Sequence, residues 1–111
     1  MGIFVSSFRF NGPIPLSENI PELSQGLYAI FIHDKSRIVD PYKLIYIGDS
    51  EEISELTSWR SFHRYDCWLT LGGENLYIGV CPLPQQTSAE KKKILSMLIQ
   101  EHSPTCNVTR A

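Results

Sequence analysis

The chain has only three cysteines in 111 residues, Cys67, Cys81 and Cys106, and no two of them form a Cys-x-x-Cys pair. An odd, unspaced set argues against a disulfide framework and for reduced thiols, which points to the cytoplasm. No apolar run reaches the roughly 20 residues that cross a bilayer. Met1 to Ser6 has no basic stretch ahead of an apolar one, as a secretory leader would. Neither sign of charge dominates: ten Lys and Arg stand against twelve Asp and Glu, a formal charge of -2. Non-specific nucleic-acid affinity comes from neutralising phosphates, so this balance lends it no support, though it leaves room for a local basic patch. Structural repeats and low-complexity tracts are missing too, which excludes solenoids and arrays.

What is present fits a globular domain. The 42% hydrophobic and 20% charged content is ordinary, and the length suits one domain with one core. Gly26-Leu27-Tyr28-Ala29-Ile30-Phe31-Ile32 and Lys43-Leu44-Ile45-Tyr46-Ile47-Gly48 are rich in aromatic and β-branched residues. They read as two strands of a hairpin with a polar, proline-broken loop between them. Ahead of them, Phe4 to Phe10 reads as a short edge strand ending at Asn11-Gly12-Pro13. Pro13, Pro15 and Pro21 then make residues 14–25 an extended lead-in. Its Ile14, Leu16, Ile20 and Leu23 are expected to cover one side of the sheet.

After Gly48, Asp49 and Glu52 form a capping-box pattern, with Ile53, Leu56, Trp59 and His63 at helical spacing behind it. This predicts a helix over residues 51–63. Residues 65–71 fit a helical turn or the approach to the next strand equally well. A strand follows over 75–80. Thr87 and Glu90 then give a second capping box, for a helix over 91–102 with Ile94, Leu95, Leu98 and Ile99 on one face and Pro104 as its stop. The order predicts an α+β sandwich: a mostly antiparallel central sheet of three strands, or slightly more, flanked by helices. Residues 1–25 are its edge strand and lead-in, 26–107 the main domain and 108–111 a tail.

Gly26-Leu27-Tyr28, then Tyr46-Ile47-Gly48, then helix, strand and helix, resembles the GIY-YIG nuclease domain. The ending Leu98-Ile99-Gln100-Glu101-His102-Ser103-Pro104-Thr105-Cys106-Asn107 is similar to the close of that domain's last helix. His63, Cys67 and Trp68 ahead of Gly72-Gly73 and a strand are similar to a small bacterial branch of the family. The resemblance implies metal-assisted hydrolysis of a DNA phosphodiester. A tyrosine of the first motif helps activate water, an arginine on the first helix stabilises the phosphate, and a glutamate on the last helix holds a divalent ion. Tyr28 and Tyr46 match the motif tyrosines, and Gly26, Gly48 and Asn107 match structural positions. The glutamate position, three residues before Leu98, is Leu95. The arginine interval holds Glu55 and Leu56. Asp49, Glu51 and Glu52 follow the second motif where a basic residue is usual, and would repel a phosphate.

Two readings therefore stand side by side. In one, the domain has lost hydrolysis and binds nucleic acid or protein, with Gly48, His63, Lys91, Lys92 and Asn107 as binding residues. In the other, it is a divalent-metal-dependent DNA endonuclease with a rearranged site. Tyr28, Tyr46 and Arg60 are then catalytic, Glu90 is the nearest metal-ligating glutamate, and Mg²⁺ or Mn²⁺ is required. Plainer roles compete: Glu90 belongs to the capping box, Leu95 to the core, Arg60 to the surface, and Lys91-Lys92-Lys93 to a solvated helix face. Lysines in a helix's first turn are nonetheless misplaced for its dipole, a hint of a partner surface. His63-x-x-x-Cys67 and His102-x-x-x-Cys106 could close a tetrahedral zinc site. Buried free cysteines and helix-end histidines are the commoner account. No membrane partner is expected.

Overall fold

The computed structural model describes residues 2–16, 25–53 and 58–108, at 60 and 108 the backbone only. Its elements are β1 (Gly2–Val5), β2 (Phe8–Pro15), β3 (Gly26–His33), β4 (Tyr42–Asp49), α1 (Tyr65–Gly72), β5 (Leu76–Pro82), α2 (Ser88–His102) and the four-residue α3 (Thr105–Val108). The strands form one antiparallel sheet of order β1-β2-β5-β3-β4. The α+β class and the antiparallel sheet are as expected, but the sheet has five strands and not three.

The two extra strands come from residues read as one edge strand and a lead-in. Ser6 takes a positive φ of 56°, and Ser6-Ser7 turn the chain so that Val5 faces Phe8. Pro13 brings no N–H to a ladder, yet β2 does not stop there. Its register against β5 shifts between Asn11 and Ile14, and pairing resumes at Ile14–Ile78. Ile14, expected in the core, is exposed, whereas Leu16 packs against it. Ile20 and Leu23 lie outside the described residues.

β3 runs between β4 and β5 with a packed core on each face of the sheet, so residues 26–31 are all buried. That is why its sequence is a continuous apolar run rather than an alternating one. Leu27, Ala29 and Phe31 join Ile47, Cys81 and, from α2, Leu98 on one face. Tyr28 and Ile30 point the other way, into an aromatic core with Tyr46, Trp59, Phe62 and Trp68. A register shift opposite Ile30 and Phe31 turns both Ile45 and Tyr46 into that second core. α2 thus covers one face, while α1 and α3 cover the other. The sheet curls enough that Gly2–Val5 line one groove with Tyr42 and Leu44. Ser6, in the β1–β2 turn, bonds Glu101 and meets His102 Nε2 at 2.9 Å, at the end of α2.

The second capping box forms as read: Thr87 Oγ1 accepts from the Glu90 N–H at 3.1 Å, and Glu90 accepts from the Thr87 N–H at 3.0 Å. The first one tightens instead. Asp49 accepts from the N–H of Glu51, one residue early, while Glu52 accepts from the Asp49 N–H. This local bonding favours a 3₁₀ turn, seen over Ser50–Ile53. A second 3₁₀ turn spans Trp59–Ser61, and the first α-helix starts only at Tyr65. The expected helix over 51–63 is therefore replaced at both ends; residues 54–57 lie outside the described ones.

The expectation of reduced thiols is overturned. Cys67 in α1 and Cys106 in α3 form a disulfide, Cα to Cα 5.8 Å apart and 39 residues apart in sequence. Two helices packed on one sheet face bring the cysteines together, a long-range contact that spacing cannot reveal. Cys81 is free and buried. The argument from thiols to the cytoplasm thereby loses its basis. No helix among the described residues is long and apolar enough to cross a membrane.

Candidate functional site around Tyr28 and Tyr46

The two motif tyrosines do come together. Tyr28 pairs across strands with Gly48, and its ring centroid lies 6.0 Å from that of Tyr46. Gly48 is required by this contact: a Cβ there would sit 2.7 Å from the Tyr28 ring and 2.7 Å from Glu52 Oε1. Trp59 and Trp68 close over Tyr28, with centroids 6.0 and 6.5 Å away. Tyr28 is 0% exposed, and its buried hydroxyl has no hydrogen-bond partner among the described residues. Burial above all, then the neighbouring Tyr46 and Glu52, pushes its ionisation far above the ordinary tyrosine range.

Tyr46 has the only motif hydroxyl with a partner among the described residues. It donates to Glu52 Oε2 at 3.3 Å, and the other Glu52 oxygen accepts from the Asp49 N–H at 2.9 Å. Burial, then the Glu52 carboxylate, raises the Tyr46 ionisation as well. Beside it opens a groove of about 510 Å³, lined by Tyr46, Glu51, Glu52, Lys92, Leu95 and Asn107 among others. Leu95 thus faces this groove at the position where the resemblance implies a metal-holding glutamate. Among the described residues, no three His, Cys, Asp or Glu side chains are grouped so as to hold a metal ion.

The remaining candidates scatter. Lys91 leaves the proposed basic cluster: it is 0% exposed, and its Nζ lies 3.1 Å from Asp49 Oδ1 and 3.2 Å from Glu51 Oε1. Burial works against its charge, but the hydrogen bonds and charges of Asp49 and Glu51 outweigh it and raise its ionisation. Lys92, by contrast, is exposed on the groove. Asn107 belongs to the framework. Its Oδ1 accepts from the Ile47 N–H at 2.8 Å, and its Nδ2 donates to the Ile47 carbonyl at 2.9 Å. These bonds close the outer edge of β4, the last strand of the sheet.

Glu90 is exposed and held by Thr87, whose hydrogen bonds lower its ionisation. It does not line the groove. The Arg60 side chain lies outside the described residues. The four-ligand zinc set is overturned, since Cys67 and Cys106 are bonded to each other. His63 is exposed against the Phe62 ring, and His102 meets Ser6.

The residue missed in the sequence is Asp49 as the partner of Lys91. Its signal was present in the charges: acids follow the second motif, and a lysine stands in the wrong turn of α2 for the dipole. No family model, no curated protein and no solved structure matches this chain.

Proposed function

We propose that this chain is a GIY-YIG-like domain that has lost phosphodiester hydrolysis and acts as a binding module, through the groove beside Tyr46. The observation that carries this reading is the sealed Tyr28 hydroxyl. A group that activates water must reach water, and this one lies under Trp59 and Trp68 with no exposed surface. Leu95 offers no oxygen to a hard cation.

The groove favours protein over nucleic acid as the ligand. Asp49, Glu51 and Glu52 line it against Lys92, and the buried cation Lys91 is already held by two of these carboxylates. A phosphate backbone meets net negative charge there, whereas Leu95 and Ile99 offer apolar contact to a peptide. Gel shifts with single-stranded and duplex DNA at low salt test this choice. No shift is expected. A shift that weakens in Lys92→Glu, with a steep dependence on salt, assigns the groove to nucleic acid instead.

A second reading, the metal-dependent endonuclease, has one observation in its favour: the Tyr46 hydroxyl already donates to a carboxylate at the edge of an open groove. Cleavage in Mg²⁺ or Mn²⁺ separates it from the first.

A further inference from the structure

We propose that Cys67 is a site of thiol–disulfide exchange with small thiols, and that exchange there loosens the clamp that Asn107 places on β4. The two sulfurs of the bond are not equivalent. Cys106 is 0% exposed and packs in the aromatic core. Cys67 is half-buried and lines a groove of about 400 Å³ with His63, Arg64, Asp66, Leu71 and Thr105. An incoming thiolate therefore meets Cys67 Sγ first, along a groove that Arg64 and Asp66 both line. Cys81 takes no part: it is buried in the other core, and burial raises its thiol's ionisation, keeping it protonated and inert.

The step balances as an ordinary exchange. A small thiolate attacks Cys67 Sγ, a new S–S bond forms to Cys67, and the Cys67–Cys106 bond breaks. Cys106 leaves with the electron pair and takes a proton. A second small thiolate then attacks the small-molecule sulfur of the mixed disulfide. Cys67 is released as a thiolate and the two small thiols leave as their disulfide. Two thiols are oxidised and one protein disulfide is reduced.

The consequence follows from chain connectivity. Cys106 and Asn107 are neighbours in α3, which is only four residues long. Pro104 precedes it, and the Asn107 N–H donates to the Pro104 carbonyl at 3.0 Å. The disulfide holds this segment to α1, and the Asn107 amide holds it to Ile47. Without the covalent tie, the non-covalent packing of Cys106 and the Asn107 bonds are left to hold this segment against β4. Asn107 also lines the groove beside Tyr46, so exchange at Cys67 acts on that groove. This last step rests on the binding role proposed above; the exchange itself does not.

The test uses the oxidised full chain, exposed briefly to reduced glutathione, quenched with N-ethylmaleimide and mapped by mass spectrometry. The expected result is glutathione on Cys67 and maleimide on Cys106. Glutathione on Cys106, or no exchange under conditions that reduce an exposed peptide disulfide, overturns the proposal. Cys106→Ser supplies a second measurement, since oxidised glutathione should give a lasting adduct on its Cys67 while Cys67→Ser stays unmodified at Cys106. Amide hydrogen exchange of fully reduced against oxidised protein reads the clamp. Ile47 is expected to exchange about tenfold faster when reduced, and an unchanged Ile47 rate refutes the link to β4. Adduct mapping does not involve the groove's ligand, so failure of the binding role leaves that result standing.

Discussion

The Lys91 ammonium is buried against the Asp49 carboxylate, 3.1 Å away, and so joins the first turn of α2 to the end of β4. The pair turns a basic cluster in the sequence into a structural tie. It also neutralises a cation that a phosphate-binding site would need free. Removing one partner leaves the other charged and desolvated, which costs more than the pair contributes. Lys91→Met is therefore expected to lower stability by about 3 kcal/mol in urea denaturation at neutral pH. Replacing both partners, with Asp49→Leu added, should recover most of that loss. The pH dependence has a definite sign. Asp49 and Glu51 raise the Lys91 ionisation, so the contribution is whole below about pH 10, the ordinary lysine value. It drains away as pH rises through the raised value.

Asn107 is the second tie. Asn107→Ala removes two hydrogen bonds and leaves the Ile47 N–H without its acceptor, an expected loss of about 2 kcal/mol. Asn107→Asp keeps the acceptor for that N–H but sets a carboxylate oxygen against the Ile47 carbonyl. It should be no better than alanine, with both variants read by chemical denaturation. A stability equal to the native chain in Asn107→Ala contradicts the edge-closing role.

These two ties mark where the sequence was legible. The β3–β4 hairpin and the Thr87–Glu90 box depend on residues close in the chain, and periodicity and capping chemistry revealed both. Asn107 was matched to a structural position by resemblance, but what it holds, the Ile47 backbone, needed coordinates. The Cys67–Cys106 bond and the burial of Lys91 join segments 39 and 42 residues apart. No local pattern announces such pairs. The helix expected over 51–63 failed for a different reason: the Asp49 carboxylate accepts from the Glu51 N–H, one residue before the capping-box position, and this tightens the turn. The extra strands were hidden by the Ser6-Ser7 turn, which splits β1 from β2, and by Pro13, which the sheet accommodates by shifting register rather than by ending.

Gly48 is expected to resist even the smallest side chain. A Cβ would lie 2.7 Å from Tyr28 Cε1 and Cζ, so Gly48→Ala should cost about 1–3 kcal/mol of overpacking. Adding Tyr28→Phe should bring no relief, because the clash is with ring carbons and not with the hydroxyl. Thermal melting of the single and double variants checks both statements.

Alkaline titration reads the burial of the tyrosines. The chain has five, and burial raises the ionisation of Tyr28 and Tyr46. Their tyrosinate absorbance should be absent from the native titration and appear only with alkaline unfolding. Tyr28→Phe should leave the native part of the curve unchanged. A change there would mean that Tyr28 reaches solvent.

Incubation of the pure protein with supercoiled plasmid and single-stranded DNA, in Mg²⁺ and separately in Mn²⁺, tests the loss of hydrolysis most directly. The sealed Tyr28 hydroxyl and Leu95 on the groove predict that both DNAs stay intact. Nicking or linearisation by the native chain that disappears in a folded Tyr28→Phe variant would contradict that prediction, and would restore the tyrosine pair as a catalytic site.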